Sequence, residues 1–298
     1  MHRRCMHWGA GALLLAGCGF PTFDFHAGGD VDAGDAAIVP DASTPSCPAN
    51  GTIDFCATLP AFTGAQVVDG VGDEFCALPG QTIDAHATRV FFYRGASAAD
   101  VKEVATVRAA SSSDGLHIHV HVTDGAIFVQ PNGSQQLQEG DALELYVAGF
   151  TPKGGTFDGT TDAGALHVIA SPPSGAIGAR AFVWTSSCDV PVPASLNPSY
   201  YAGRIVSDGW EIELDLPWSA LLPTTTTPPP ISGATIGFTV GIDAQDTPGS
   251  ADGTVERQML AFTGYTTVSA PSPSCDDCGK PDVEPFCDDR CWCTPALQ

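Results

Sequence analysis

The stretch that decides the fold is Leu116-His117-Ile118-His119-Val120-His121-Val122, in which apolar and polar residues alternate strictly. Successive side chains of a β-strand point to opposite faces, so the apolar residues share one face and the three histidines share the other. The same alternation recurs in residues 210–216 and 236–242, and turn signals such as Ser113-Asp114-Gly115 and Ser207-Asp208-Gly209 precede the strands. The sequence therefore predicts an all-β protein, an antiparallel β-sandwich of jelly-roll or immunoglobulin-like type.

The composition agrees with a β-rich, exported protein. The 298 residues include 33 glycines and 24 prolines, and only 15% of residues are charged, too few for a surface built of long helices. Residues 98–107 form the one modest helical candidate. The formal net charge of −22 is opposite to what nucleic-acid phosphates attract, so we expect no nucleic-acid partner. Eleven cysteines favour a compartment that permits disulfides.

The N-terminus has the features of an export signal. Arg3 and Arg4 precede an apolar run over residues 8–17, which is too short to span a bilayer. The run ends in Leu15-Ala16-Gly17-Cys18, which resembles the lipobox of bacterial lipoproteins. We predict that residues 1–17 are removed and that Cys18 carries lipid; an ordinary signal peptide is the alternative. Gly19 after the cysteine favours the outer membrane of a Gram-negative bacterium, with the lipid anchor as the only membrane contact.

The rest of the chain divides by composition into three parts. Residues 18–60 are rich in Gly, Ala, Asp, Pro and Ser without periodicity, which predicts a flexible, disordered linker. Strand signals place the sandwich domain in residues 61–270, and residues 271–298 form a short Cys-rich tail. In that tail Cys275-x-x-Cys278 could bind zinc, but disulfides are expected in an exported chain. Their connectivity and the oligomeric state stay open.

Five segments, in order, resemble the family 9 carbohydrate-binding modules. They are Val68-Asp69-Gly70-Val71-Gly72-Asp73-Glu74-Phe75, Asp114-Gly115-Leu116 through Val122-Thr123-Asp124, Gly140-Asp141-Ala142-Leu143-Glu144-Leu145-Tyr146-Val147, Gly209-Trp210-Glu211-Ile212-Glu213-Leu214 with Pro217-Trp218-Ser219-Ala220-Leu221, and Ile236-Gly237-Phe238-Thr239-Val240. The resemblance implies a β-sandwich that binds a glycan or polysaccharide without cleaving it, in some members together with calcium. The chain is therefore expected not to be an enzyme.

The resemblance also directs attention to residues that could contact a sugar. Pyranose rings stack on aromatic side chains, and their hydroxyls need polar partners. We expect Trp184 to be the stacking residue and Glu144 and Arg257 to bind hydroxyls, because a carboxylate accepts and a guanidinium donates hydrogen bonds. Trp210 and Trp218 are expected to be structural, since one alternates with core residues and the other follows a strand-ending proline.

Two groups of side chains are candidate metal ligands. Asp69, Asp73 and Glu74 offer the oxygen ligands that calcium prefers, although aspartates also favour turns for their own sake. The three histidines of residues 116–122 could chelate zinc, with Glu144 completing the site. The alternative is that they form the polar, outward face of a half-buried strand.

Two other functions compete with sugar binding. Some similar sandwiches bind haem in redox complexes, and Met259 with one of the three histidines could supply axial ligands. A purely structural surface lipoprotein without a small ligand is the other possibility. Paired acids such as Glu211 with Glu213 and Asp243 with Asp246 could in principle catalyse glycoside hydrolysis, but alternating acids on a strand are usually solvated.

Overall fold

The computed structural model describes residues 47, 50–84, 90–92, 103–130, 137, 140–151, 165–184, 194–222, 224, 226–244, 258–262 and 292–298. Within them, a five-stranded and a seven-stranded antiparallel sheet pack face to face, and a short parallel pair joins the two ends of the described chain. The predicted all-β sandwich is confirmed. The strands are β1 (Thr58–Leu59), β2 (Gln81–Ile83), β3 (Val90–Phe92), β4 (Val104–Ser111), β5 (Gly115–Thr123), β6 (Ala142–Ala148), β7 (Leu166–Ser171), β8 (Arg180–Trp184), β9 (Ala194–Ser195), β10 (Tyr201–Val206), β11 (Gly209–Pro217), β12 (Gly237–Ala244), β13 (Gln258–Phe262) and β14 (Ala296–Leu297). The helical elements with described bounds are α1 (Trp218–Leu221) and 3-10 turns at Asp73–Phe75 and Pro198–Tyr200.

The five-stranded sheet has the order β10-β11-β5-β4-β2. Its central strand β5 is the alternating stretch, and Leu116, Ile118, Val120 and Val122 are all fully buried, as the alternation predicts. The helical interpretation of residues 98–107 is wrong from Val104 onward, because those residues pair with β5 as strand β4. The β-branched residues of β4 fit a pleated surface and gain burial against β5, which outweighs a weak helical pattern.

The seven-stranded sheet has the order β3-β13-β12-β6-β7-β8-β9. Alternate residues of its middle strands, such as Leu145, Val168 and Val240, face the other sheet and are buried in the common core. Trp210 from β11 is the largest fully buried side chain of that core. Because side chains alternate, the intervening residues of β6, β7 and β8 lie on the outer face of this sheet. That face holds the candidate site.

Both ends of the described chain are built into the same core. Strand β1 pairs in parallel with β14, and the core includes Phe55 and Leu59 from the predicted linker together with Cys293 and Leu297 from the predicted tail. The disulfide Cys56–Cys293 cross-links these two segments, and Cys47–Cys76 links the predicted linker to the sandwich domain, as expected for an exported chain. Among the described residues, no helix has the length and apolar character needed to cross a bilayer.

Candidate functional site

Three aromatic rings form a continuous stack across the outer face of the seven-stranded sheet. Tyr146 of β6 lies directly opposite His167 of β7, which lies directly opposite Trp184 of β8. The ring centroids of Tyr146 and His167 are 4.3 Å apart at an interplanar angle of 10°, and those of His167 and Trp184 are 5.3 Å apart at 30°. Strand register alone brings these residues together, because directly opposite side chains on one face are close enough to touch. We call these three side chains the aromatic row.

Glu144 is hydrogen-bonded to the aromatic row. It lies two residues before Tyr146 in β6 and therefore on the same face. The Tyr146 hydroxyl donates a hydrogen bond to Glu144 Oε2, and His167 Nε2 lies 3.2 Å from the same oxygen. Two of the three predicted sugar-binding residues, Trp184 and Glu144, are thus connected through His167. The third, Arg257, lies outside the described residues.

Exposure differs along the aromatic row. Tyr146 is fully buried and His167 is 7% exposed, whereas Trp184 and its neighbour Phe182 are half-buried. Phe182 and Trp184 pack on an apolar cluster that includes Ile169. The indole stacks on His167 and keeps part of its surface accessible, and the nearby Glu144 carboxylate is 1% exposed. This combination of an aromatic platform and a nearby acceptor suits a sugar ring.

The outer face of the five-stranded sheet is polar but covered. Strand β11 places Glu211, Glu213 and Asp215 directly opposite His121, His119 and His117 of β5, respectively. Residues 62–76, which we call the cover segment, pack over this face. Its Phe75 ring stacks on His119 with a centroid distance of 5.6 Å. Gly72, with φ of 63°, lies so close to the His119 ring that a Cβ there would come within 2.2 Å of it. Glycine is therefore required at position 72, because any side chain would be strained by the left-handed backbone and would clash with His119.

The three histidines of β5 do not form a zinc site with Glu144. His117 Nδ1 is 3.0 Å from Asp215, and His121 Nδ1 is 2.9 Å from Glu211, so separate carboxylates engage them. Glu144 lies on the other sheet, facing away from them, because β6 and β5 belong to opposite layers. The sequence-based proposal that Glu144 completes this site is wrong. In the described part of the chain, no three His, Cys, Asp or Glu side chains gather as a metal-binding group.

Glu211 is the anionic centre of the covered face. Burial opposes its charge, but hydrogen bonds from His121 and Arg204, together with the His119 imidazole 3.9 Å away, outweigh burial and hold the pKa of Glu211 well below its usual range. Burial likewise opposes the charge of His121, yet the hydrogen bond to Glu211 raises the pKa of His121 overall. Arg204 Nε lies 2.6 Å from Glu211 and its guanidinium also donates to Val71 O in the cover segment at 3.2 Å. Glu211 therefore ties β5, β10 and β11 together.

Glu213 holds the cover segment in place. Its Oε2 accepts hydrogen bonds from the backbone amides of Gly70 at 2.8 Å and Asp69 at 3.1 Å, while its Oε1 lies 2.5 Å from the Gln66 amide. Burial and the neighbouring Glu74 carboxyl raise the pKa of Glu213 to about 8, although the two backbone donors act in the opposite direction. Glu213 therefore keeps its proton to a higher pH than an ordinary glutamate.

The predicted calcium ligands lie in the cover segment. Asp69 Oδ1 accepts a hydrogen bond from Val71 N at 2.8 Å, and Glu74 Oε1 accepts one from Val67 N at 3.1 Å, so both carboxylates shape the loop. Asp73 begins the 3-10 turn and is exposed. The loop interpretation of these aspartates thus has direct support, and calcium binding stays a prediction. These residues and Trp184 lie on opposite faces of the sandwich.

The described domain resembles known solved structures, whereas no protein-family model and no curated protein matches the chain. A family 9 carbohydrate-binding module from Caldicellulosiruptor kristjanssonii, in complex with cellotriose, has a TM-score of 0.51 at 11% identity and covers 81% of this chain and 93% of its own. The chain has the fold of a family 9 carbohydrate-binding module. A family 9 module from the same organism in complex with glucose gives a TM-score of 0.49 at 11% identity, covering 81% of this chain and 95% of its own.

Sequence reasoning found some residues of the candidate site and missed others. Trp210 is fully buried and Trp218 donates its indole N–H to Ser112 O at 2.9 Å, which confirms their structural roles. Tyr146 and His167 were missed, although each alternates with core residues and could have been assigned to the outer face. Trp292, which lies 6.0 Å from the Tyr146 ring, gave no periodic signal because it precedes only a short strand.

The haem alternative gains no support from the described geometry. Met259 lies in β13 of the seven-stranded sheet, whereas the histidines of β5 lie on the outer face of the other sheet. Axial ligands must approach one iron from opposite sides. The two candidates thus belong to different sheets of the sandwich.

Proposed function

We propose that this protein is a non-catalytic carbohydrate-binding protein whose site is the outer face of the seven-stranded sheet around Trp184. One observation carries the proposal: a half-buried indole is linked through His167 to a buried carboxylate, within the fold of a carbohydrate-binding module. The similar module from Caldicellulosiruptor kristjanssonii holds cellotriose, which makes a neutral glycan the natural first probe. Of the two acid pairs considered for catalysis, Glu211 and Glu213 lie beneath the cover segment. Asp246 of the other pair lies outside the described residues.

The chemistry of the site matches a sugar in two respects. The apolar face of a pyranose can stack on the accessible part of Trp184, and the Glu144 carboxylate, although only 1% exposed, orients the polar His167 ring beside that platform. Contacts of this kind are few, so we expect a dissociation constant between about 1 μM and 1 mM, or about −8 to −4 kcal/mol. Arg257 is retained in this proposal as a further hydroxyl partner on the basis of its sequence position alone.

Replacement of Trp184 by alanine is expected to weaken cellotriose binding by about tenfold or more, because the stacking platform is lost. Titration calorimetry of wild type and the variant measures this directly. Trp184→Phe should retain part of the affinity, since a smaller aromatic ring remains. Val67→Ala, an exposed position on the opposite face, is the control and should bind as wild type.

The same titrations decide between the candidate functions. Wild-type affinity in the Trp184→Ala variant would place the sugar elsewhere, and a folded wild type that binds no member of a glycan panel would favour the structural lipoprotein. Repeating the titration with a chelator tests whether calcium, held by Asp69, Asp73 and Glu74, supports the site.

We further propose that the protein is anchored to the cell envelope, in the outer membrane of a Gram-negative bacterium, through a lipid on Cys18. The support is the Leu15-Ala16-Gly17-Cys18 motif at the end of the apolar run. Mass spectrometry of the native protein should find an N-terminal Cys18 carrying acyl chains, and Cys18→Ser should release the protein from the membrane fraction. An unmodified Cys18 in the mature protein would contradict the anchor.

A further inference from the structure

The C-terminal segment 292–298 enters the sandwich beside the aromatic row. The Cys293 amide donates to Thr239 Oγ1 at 3.2 Å, and the Phe238 amide donates to Cys293 O at 2.9 Å. Thr239 of β12 lies directly opposite Tyr146 of β6. The segment is therefore fixed against the strand next to the aromatic row.

Trp292 is the side chain that this segment places against the aromatic row. It is 3% exposed, and its ring centroid lies 6.0 Å from that of Tyr146 at an interplanar angle of 48°. Tyr146 in turn stacks on His167. The phenol ring thus contacts two other rings, and its position depends on both.

The position of Tyr146 matters because its hydroxyl donates to Glu144 Oε2, the oxygen that His167 Nε2 also approaches at 3.2 Å. A shift of the phenol ring would move or free this hydrogen bond and let the carboxylate and the imidazole reorient. His167 is the support on which Trp184 rests. Trp292 therefore influences both halves of the proposed sugar site without being exposed to a ligand itself.

We propose that Trp292 is a positioning residue of the glycan site: it holds Tyr146, which fixes Glu144 and the His167 ring on which Trp184 rests. This inference rests on the proposed function. The disulfide from Cys56 to Cys293 fixes the residue next to Trp292 and so holds the C-terminal segment against residue 56. The tail is in this way part of the binding apparatus and not only a cross-linked end.

The test uses the full chain with Trp292→Leu and Trp292→Phe, which fill much of the indole volume and keep the segment packed. Trp218→Leu is the matched control, because Trp218 is equally buried but belongs to the helix that follows β11. Calorimetry with cellotriose gives affinity, thermal unfolding gives stability, and ¹⁵N-histidine NMR gives the imidazole signal of His167 among the eight histidines.

We expect Trp292→Leu to weaken cellotriose binding by about tenfold and to shift the His167 imidazole signal, while Trp292→Phe stays close to wild type. Trp218→Leu should lower the unfolding temperature but change neither the cellotriose affinity nor the His167 imidazole signal. If Trp292→Leu binds as wild type while Trp184→Ala loses binding, the positioning role is wrong and the sugar site stands. If wild type binds no glycan, the proposed function fails. An unmoved His167 signal in Trp292→Leu would then overturn the positioning role as well.

Discussion

Replacing Cys56 and Cys293 together by alanine is expected to lower the free energy of unfolding by about 4–5 kcal/mol. The bond joins residues separated by 237 positions, so it restricts the unfolded chain over most of its length. At roughly 2–4 °C per kcal/mol for a domain of this size, the unfolding temperature should fall by about 10 °C or more. Calorimetry or circular dichroism of the two proteins measures the difference.

The other disulfide provides the internal comparison. Cys47 and Cys76 are separated by only 29 positions, so the Cys47→Ala, Cys76→Ala variant should lose about 3–4 kcal/mol, less than the long-range pair. A smaller loss for Cys56→Ala, Cys293→Ala than for this variant would contradict the cross-linking argument. It would mean that the hydrogen bonds of Cys293 and the β1–β14 pairing hold the tail without the bond.

The core could be predicted from the sequence because alternation reports which residues share a face. The apolar residues of β5 and β11 fulfil that prediction, and Trp210 is buried among them. Alternation does not report what packs on the other face. His119 is 1% exposed, although a polar strand face is usually solvated, because Gly72 and Phe75 of the cover segment lie on it. Such a cover is a non-local contact that no short pattern encodes.

The candidate site shows the same limit. Trp184 and Glu144 could each be selected from the sequence as chemically suitable. That His167 links them follows only from the register of β6, β7 and β8, which the sequence pattern does not specify. A one-residue slip of β7 would turn His167 into the core and break the aromatic row. Trp292 reaches the row from the opposite end of the chain, and its place depends on the disulfide partner of Cys293, which spacing could not identify.

The Glu213→Gln variant is expected to be more stable than wild type above pH 8, by roughly 3–5 kcal/mol. Glu213 is fully buried beneath the cover segment and, because of burial and the adjacent Glu74 carboxyl, has a pKa of about 8. At alkaline pH the wild-type protein must therefore bury the negative charge of Glu213 in addition to that of Glu211. A glutamine oxygen can still accept from the amides of Gly70 and Asp69, and its amide group can donate to the side-chain oxygen of Gln66.

The sign follows from the pKa values of the two states. The unfolded chain releases the Glu213 proton near the ordinary glutamate pKa of 4.5, whereas the folded chain keeps it to a pKa of about 8. Between these values the folded state binds more protons, so this group's contribution to stability is complete below about pH 4.5 and is lost as pH rises toward 8. Urea unfolding at pH 5, 7 and 9 should show a growing advantage for Glu213→Gln.

Two variants separate this explanation from a general effect of removing an acid. Glu74→Gln removes the like charge beside Glu213 and should lower the pKa of Glu213. The fall in unfolding free energy with rising pH should therefore be complete at a lower pH than in wild type. Glu211→Gln should instead destabilise the protein at neutral pH, because that carboxylate is held ionised by His121 and Arg204 and its pKa is lowered. Parallel stability curves for wild type and Glu213→Gln from pH 5 to 9 would show that the cover segment is not held by a protonated acid.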